Sequence, residues 1–147
     1  MSGFSFPLAL ALVVGIVGLL AFTAWSLLRL FRKGAREAEQ RLLDKLGRPD
    51  VLLRDAAANG LGLRSLGPVQ LRGNGVLLLT RDVLAFQPWF RSEPIVIERA
   101  TITSAATKRS HLGKSIGRDL LAVEFAGDEY AWYVRALPPW LDALTRR

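Results

Sequence analysis

The stretch PLALALVVGIVGLLAFTAWSLL, residues 7–28, decides the organisation of this chain. It is 22 residues long and contains no charged side chain. As an α-helix it would extend about 33 Å, which matches the hydrocarbon core of a bilayer. We therefore expect residues 1–33 to form a transmembrane anchor, so that the rest of the chain acts at a membrane surface.

A basic cluster directly follows the apolar stretch and predicts its orientation. Before the stretch the chain carries only its α-amino group, and Lys and Arg close to a span stay on the cytoplasmic side. We therefore expect the N-terminus outside and the rest of the chain in the cytoplasm. The excess of arginine over lysine, with much leucine and alanine, is typical of high-GC bacterial genomes and predicts a bacterial inner (plasma) membrane. The juxtamembrane basic residues are Arg29, Arg32, Lys33 and Arg36.

Two other interpretations of the apolar stretch fit less well. A cleaved signal peptide has its positive charges before a shorter apolar core, whereas here the charges come after a longer one. A core helix of this length without one charge would need a much larger protein around it.

The composition of the remaining chain bounds its chemistry. About 110 residues follow the anchor, enough for one small domain with its own core. The absence of cysteine excludes disulfides and thiolate metal sites, and the single His111 excludes a multi-histidine metal site. We predict no metal and no cofactor. The net charge of +7 is moderate, and with a membrane tether it argues against a nucleic-acid partner.

Residues 34–49 have the pattern of a juxtamembrane helix and linker. Over 35–46, alanines and leucines recur at three- to four-residue spacing, which predicts a helix, and Gly47 and Pro49 then end it. We interpret this helix as a solvated spacer between the anchor and a domain at 50–147.

The domain at 50–147 has the texture of short strands separated by turns. Gly73-Asn74-Gly75 is a strong turn signal, because these residues tolerate positive φ. A helix beginning at Leu137, with Trp140 on its apolar face, closes the chain. Residues 55–72 give no clear pattern. The predicted strands are 51–54, 76–80, 83–90, 95–97, 102–106, 120–125 and 131–135.

About seven antiparallel strands followed by one C-terminal helix resemble the pleckstrin-homology (PH)-like fold, including bacterial PH-like and GRAM-type domains. This resemblance covers residues 50–147 and implies a mainly-β barrel plugged by the tryptophan of the C-terminal helix. Together with the anchor, the pattern is similar to that of single-span bacterial membrane proteins. The residues that carry the resemblance are GVLLLT (75–80), LAF (84–86), IVI (95–97) with Ile102, LLAVEF (120–125), AWYV (131–134) and the helix around Trp140.

The segment KRSHLGKSIGR, residues 108–118, is the best candidate for a binding site. It contains no acidic residue, and Gly113 and Gly117 predict a flexible loop between two strands. Cationic side chains suit phosphate oxygens, and each one close to an anionic membrane adds about 1 kcal/mol of attraction. The alternative interpretation is a solvated hairpin whose charges protect a sheet edge. The candidate anion or lipid contacts are Lys108, Arg109, Lys114 and Arg118.

No motif in the chain predicts catalysis. Gly113-Lys114-Ser115 lacks the earlier glycine and the following helix of a phosphate-binding P-loop. Ser110, His111 and Asp119 are the only candidates for a hydrolytic triad, but triads are defined by geometry rather than by proximity in sequence. No paired carboxylates stand out, because Asp128 and Glu129 lie in a glycine turn that predicts both to be solvated.

The sequence therefore predicts a non-enzymatic binding or scaffold module on the cytoplasmic side of a membrane. In one hypothesis the basic loop contacts anionic lipid headgroups. In the alternative, the domain docks a protein partner on its C-terminal helix face or on a strand edge, with no lipid specificity.

Overall fold

The computed structural model describes residues 6–70, 72–91 and 93–146, which form two compact units, Met1–Gly34 and Ala35–Arg147. Helix α1 runs from Phe6 to Lys45 and belongs to both. Its N-terminal part is long and apolar enough to cross a membrane, and none of its most apolar window is buried inside the protein.

The C-terminal part of α1 is packed rather than solvated. Ala38 and Leu42 are fully buried and form a small core with Val76, Leu78 and Ala85 of the sheet. The interpretation of this segment as a solvated spacer is therefore wrong. The same alanine and leucine stripe that predicted the helix supplies its contact face, because residues three to four apart lie on one side of a helix.

Seven antiparallel strands follow α1 and form one sheet in the order β4-β3-β2-β1-β7-β6-β5. Helix α2, Leu137–Thr145, ends the described chain. The sheet does not close into a barrel, because β4 and β5 each pair with one neighbour only among the described residues. The strands are β1 Val51–Leu63, β2 Gly73–Thr80, β3 Val83–Pro88, β4 Ile95–Glu98, β5 Ile102–Lys108, β6 Leu120–Phe125 and β7 Asp128–Tyr133.

Strand β1 is the element that the sequence did not resolve. Its N-terminal part pairs with β2, and its last residues, from Asn59 to Leu63, pair with β7. One 13-residue strand therefore joins the two halves of the sheet. Alternation is blurred along it because the register shifts twice against β2 and again between Gly60 and Gly62 against β7.

The predicted turn at Gly73-Asn74-Gly75 is wrong, because these residues begin β2. A Cβ on Gly75 would lie 2.5 Å from the carbonyl oxygen of Gln87 and 2.6 Å from the ring of Phe86. Glycine is needed here for the close approach of an aromatic ring rather than for a turn.

The main core lies between the inner face of the sheet and α2. Leu77, Phe86, Trp132 and Trp140 are buried in it, and Trp132 stacks on Tyr130 at a centroid distance of 4.3 Å. The prediction that Trp140 is a core residue is confirmed. The strand predicted at 83–90 is too long, because β3 ends at Pro88 and Phe90 beyond it is exposed.

Candidate functional site

The β5–β6 loop, residues 109–119, folds back over the outer face of the sheet. Leu120, Ala122 and Ala131 point away from the main core, as their alternation with Leu121 and Trp132 requires, and yet they are buried. The loop brings His111 onto this same face, against Glu129 of β7. The candidate lipid-binding segment is thus packed against the protein.

A buried polar cluster holds the start of this loop. The side chains of Glu129 and His111 are 4% and 2% exposed. His111 Nε2 donates to the carbonyl oxygen of Gly62 over 2.8 Å, and its Nδ1 lies 3.1 Å from Glu129 Oε1. Lys108 Nζ donates to the other carboxylate oxygen of Glu129. Both ring nitrogens of the imidazole are therefore engaged by oxygen atoms of the protein.

Glu129 is ionised in this cluster. Burial raises the pKa of its carboxyl group, but the hydrogen bond and charge of Lys108, together with those of His111, outweigh burial and leave the pKa below its ordinary value. The expectation that Glu129 is solvated is wrong. Its neighbour Asp128 accepts hydrogen bonds from the backbone N–H and hydroxyl of Ser65, which join the β6–β7 turn to the end of β1.

Lys114 is the second anchor of the loop. Its Nζ donates to the carbonyl oxygens of Gln70, over 2.6 Å, and Leu61, over 3.4 Å. The ammonium group that was predicted to contact phosphate therefore donates to two backbone carbonyl oxygens instead. The backbone pair His111–Lys114 closes the tight turn between them, with no helix after Gly113-Lys114-Ser115.

The two arginines of the candidate set lie at the exposed ends of the loop. Arg109 Nε is 3.3 Å from Asp119 Oδ1, and the Arg109 side chain is 85% exposed. Arg118 donates to the hydroxyl oxygen of Tyr133 over 2.6 Å, with its guanidinium 5.5 Å from the ring centroid. Because an exposed ion pair is weak and screened, Arg109 is the loop cation most available to an external anion.

The serine, histidine and aspartate that could form a triad are not brought together as one. Both ring nitrogens of His111 are taken by Glu129 and Gly62, and Asp119 pairs with Arg109. Ser110 is exposed at the surface of the loop. This arrangement locks the histidine in place and leaves it no nitrogen to activate a hydroxyl.

The juxtamembrane basic residues all lie at exposed positions of α1. The guanidinium of Arg29 lies 3.9 Å from the centroid of the Trp25 ring, one turn earlier. This cation–π pair places an aromatic ring and a charge together at the end of the apolar stretch, the usual composition of a membrane interface.

The free edge of β5 is a second candidate site, one that the sequence did not single out. We call the unpaired side of Ile102–Lys108 the β5 edge. Thr103, Ser104, Ala106 and Thr107 are exposed along it, and no charge or proline occurs before Lys108. Natural sheets usually protect such edges with lysine, proline or a covering element. Along its first six residues the β5 edge has no lysine and no proline, and α2 packs beside it.

The other edge of the sheet shows that protection. Strand β4 has four residues, follows Pro94, and carries Glu98 at its end. A short edge bounded by proline and charge offers little backbone to a further strand. The difference between the two edges marks β5 as the one open to pairing.

A hollow runs beside the β5 edge where α2 packs against the sheet. One part, of about 320 Å³, is lined by Arg99, Ile102, Leu144 and Arg146, among others. An adjoining part, of about 250 Å³, shares Ile102 and Leu144 and continues along β5 to Ala105. Arg99 fixes the helix beside this hollow, because its Nη2 donates to the carbonyl oxygen of Ala143 over 2.8 Å.

No protein-family model and no curated protein matches this chain. Its structure is similar to the crystal structure of the C-terminal domain of an unknown protein from Leishmania infantum. The two share 16% sequence identity, the match covers 80% of this chain and 89% of that one, and the TM-score is 0.46.

Proposed function

We propose that this chain is a membrane-anchored binding module that captures an extended protein segment on the β5 edge. The observation that carries the proposal is an edge of six uncharged residues, exposed at Thr103, Ser104, Ala106 and Thr107, beside a hollow lined partly by Ile102 and Leu144. A segment added there would gain main-chain hydrogen bonds from β5 and would place alternate side chains against Ile102 and Leu144.

The chemistry of the edge favours an uncharged segment with small side chains. Small β5 side chains leave room for close approach, and a hollow lined partly by leucine and isoleucine accepts apolar groups. Arg99 and Arg146 line its end, with Asp142 3.7 Å from Arg146, and this excess of positive charge disfavours a basic segment there.

The anchor and its orientation belong to the same proposal. Residues 7–28 cross a bacterial inner membrane with the N-terminus outside, and Arg29, Arg32, Lys33 and Arg36 lie at the cytoplasmic interface. Support comes from the uncovered apolar surface of α1 and from the Arg29–Trp25 pair at its end.

The domain is of the PH-like type, acting as a non-enzymatic scaffold in the cytoplasm. Seven antiparallel strands with β1 paired to both β2 and β7, a C-terminal helix and Trp140 buried in the core support this assignment. The packed loop over His111 supports a structural use of the residues that could otherwise serve in catalysis.

A phage-displayed library of ten-residue peptides tests the proposal, selected on the full chain in nanodiscs. We expect selected peptides to slow amide hydrogen exchange in Ile102–Lys108. An Ala106→Lys variant should lose them, because lysine on an edge opposes strand addition. The matched variant, Val96→Lys on β4, should retain them. Peptides that protect other amides, or that bind Ala106→Lys equally well, would overturn the proposal.

Lipid contact is a second candidate function, favoured by the exposure of Arg109 and by the juxtamembrane basic residues. Co-sedimentation of residues 34–147 with neutral and anionic vesicles tests it at low and high salt. Arg109→Glu is the informative variant, because Lys108 and Lys114 hold the loop and their reversal would also disturb the fold. Salt-sensitive binding to anionic vesicles that Arg109→Glu weakens would support lipid contact. Absence of binding would reject it.

A further inference from the structure

We infer that the segment captured on the β5 edge is the β5 strand of a second copy of this chain. The inference rests on the proposed function and names its partner. Two copies would pair their β5 edges antiparallel across a two-fold axis and would join their sheets into one. Such an interface is isologous. If residue i of one copy contacts residue j of the other, then residue j of the first copy contacts residue i of the second.

The regular part of β5 is self-complementary. The register of β5 against β6 is unbroken from Ser104 to Lys108, after a bulge near Thr103. An antiparallel pair of this segment centred on Ala106 places Ala106 opposite Ala106 and Ala105 opposite Thr107. Side chains that face each other then lie on the same side of the joined sheet, as strand alternation requires.

The same register avoids any meeting of like charges. Lys108 is the only charged residue of β5 and would face Ser104 of the second copy. Its ammonium group is held on the outer face by Glu129. Like charges directly opposite each other destabilise a strand pair, whereas small and hydroxyl side chains allow close approach. The usual obstacle to pairing two identical edges is therefore missing.

The membrane anchor favours this partner over a dissolved one. Two chains inserted in one bilayer share their orientation and are confined to its plane, which raises the effective concentration of each β5 edge for the other. A weak edge-to-edge contact, insufficient in solution, becomes populated under such confinement.

Disulfide trapping tests the inference directly, because the chain contains no cysteine of its own. The probe is the full-length Ala106→Cys variant in native-like membranes, treated with a mild oxidant. Residues directly opposite in an antiparallel pair have Cα atoms about 4.5–5.5 Å apart, within the range that a disulfide bridges. We expect rapid formation of a covalent dimer.

Two single-cysteine controls make the result specific to the register. Ser104→Cys puts two cysteines roughly 13 Å apart in this pairing, too far for a disulfide. Val96→Cys places a cysteine on an exposed position of β4, the opposite edge. Cross-linking of Ala106→Cys at least tenfold faster than both would support the inference. Rates equal to that of Val96→Cys would overturn it.

A second measurement keeps the inference testable without cysteines. In Ala106→Lys two lysines would face each other, so energy transfer between labelled full-length chains in membranes should fall to the level of a monomer. Val96→Lys should leave it unchanged. If the copies neither cross-link nor transfer energy while library peptides still protect β5, the second-copy inference fails and the proposed function stands. If β5 binds neither, both fail.

Discussion

At the scale of single residues, Glu129 determines how the β5–β6 loop is held. The sequence predicted a solvated residue because Gly127-Asp128-Glu129 has the composition of a turn. Its burial depends on His111 and Lys108 arriving from a distant loop, and no local pattern reports such a contact. The strand was predicted to begin at 131, whereas β7 begins at Asp128 and so places Glu129 on the same face as Ala131.

Replacing Glu129 by glutamine should destabilise the protein by about 2–3 kcal/mol, because Lys108 loses its buried charge partner and His111 loses a carboxylate acceptor. Urea unfolding of the full chain in detergent, followed by tryptophan fluorescence, measures this. Asp119→Asn is the matched control and should cost less than about 1 kcal/mol, because its ion pair with Arg109 is exposed. Equal losses in the two variants would contradict the role of the buried cluster.

The same carboxylate predicts how stability changes with pH. The pKa of Glu129 is lower in the folded chain than its ordinary value of 4.5, so the folded state binds fewer protons near that pH. Its contribution is therefore present above pH 4.5 and is lost as pH falls through the folded pKa. Asp128, whose pKa is also lowered, acts in the same direction. Melting temperatures should fall in acid less steeply for Glu129→Gln than for the wild type.

At the scale of elements, the strands with regular alternation were predicted and the irregular ones were not. The limits predicted for β6 are confirmed, because Leu121, Val123 and Phe125 alternate along it without interruption. Strand β1 escaped prediction because bulges interrupt its pattern and two different strands pair with its two parts. The turn predicted at Gly75 was wrong because glycine is common both in turns and where another group approaches the backbone closely.

Gly75→Ala should therefore be destabilising by about 1–3 kcal/mol, the usual cost of forcing extra atoms into a packed core. A Cβ at this position meets the Gln87 backbone and the Phe86 ring. Gly73→Ala is its matched control, because a Cβ there meets nothing within 4 Å. Thermal unfolding of both variants measures the difference. A turn role for these glycines would instead predict similar losses at both positions.

Leu42→Ala tests the packing of α1 on the sheet. The Leu42 side chain is fully buried against β2 and β3, so its removal should cost about 2–5 kcal/mol. Gln40→Ala, at an exposed position of the same helix, should have almost no effect. Urea unfolding compares the two variants, and a Leu42→Ala loss below about 1 kcal/mol would indicate that this segment is a solvated spacer after all.

At the scale of the whole molecule, the sequence predicted an apolar N-terminal helix, a mainly antiparallel β domain and a C-terminal helix with Trp140 in the core. It could not predict which strands become edges, because strand order depends on pairings between distant segments. The sequence therefore predicted a binding site in the charged loop, but most cations of that loop are paired within the protein. The fold instead makes the unpaired backbone of the β5 edge the better candidate site.

The proposed orientation predicts opposite labelling of the two ends of the chain. In intact cells, a membrane-impermeant maleimide should modify Ser2→Cys and should not modify Arg146→Cys until the membrane is permeabilised. The natural absence of cysteine makes each variant a single-site probe. The reverse pattern would place the domain outside the cytoplasm, and labelling of both ends would exclude a span.

The most direct test of the central claim is amide hydrogen exchange in β5 of the full chain, in nanodiscs that hold either one copy or two. The β5 edge should exchange rapidly in single-copy discs, because an unpaired strand edge exposes its N–H groups to water. We predict that a second copy slows exchange within Ile102–Lys108 and leaves β4 unchanged. Exchange in β5 that is the same in both discs would contradict its role as the surface where this protein meets its partner.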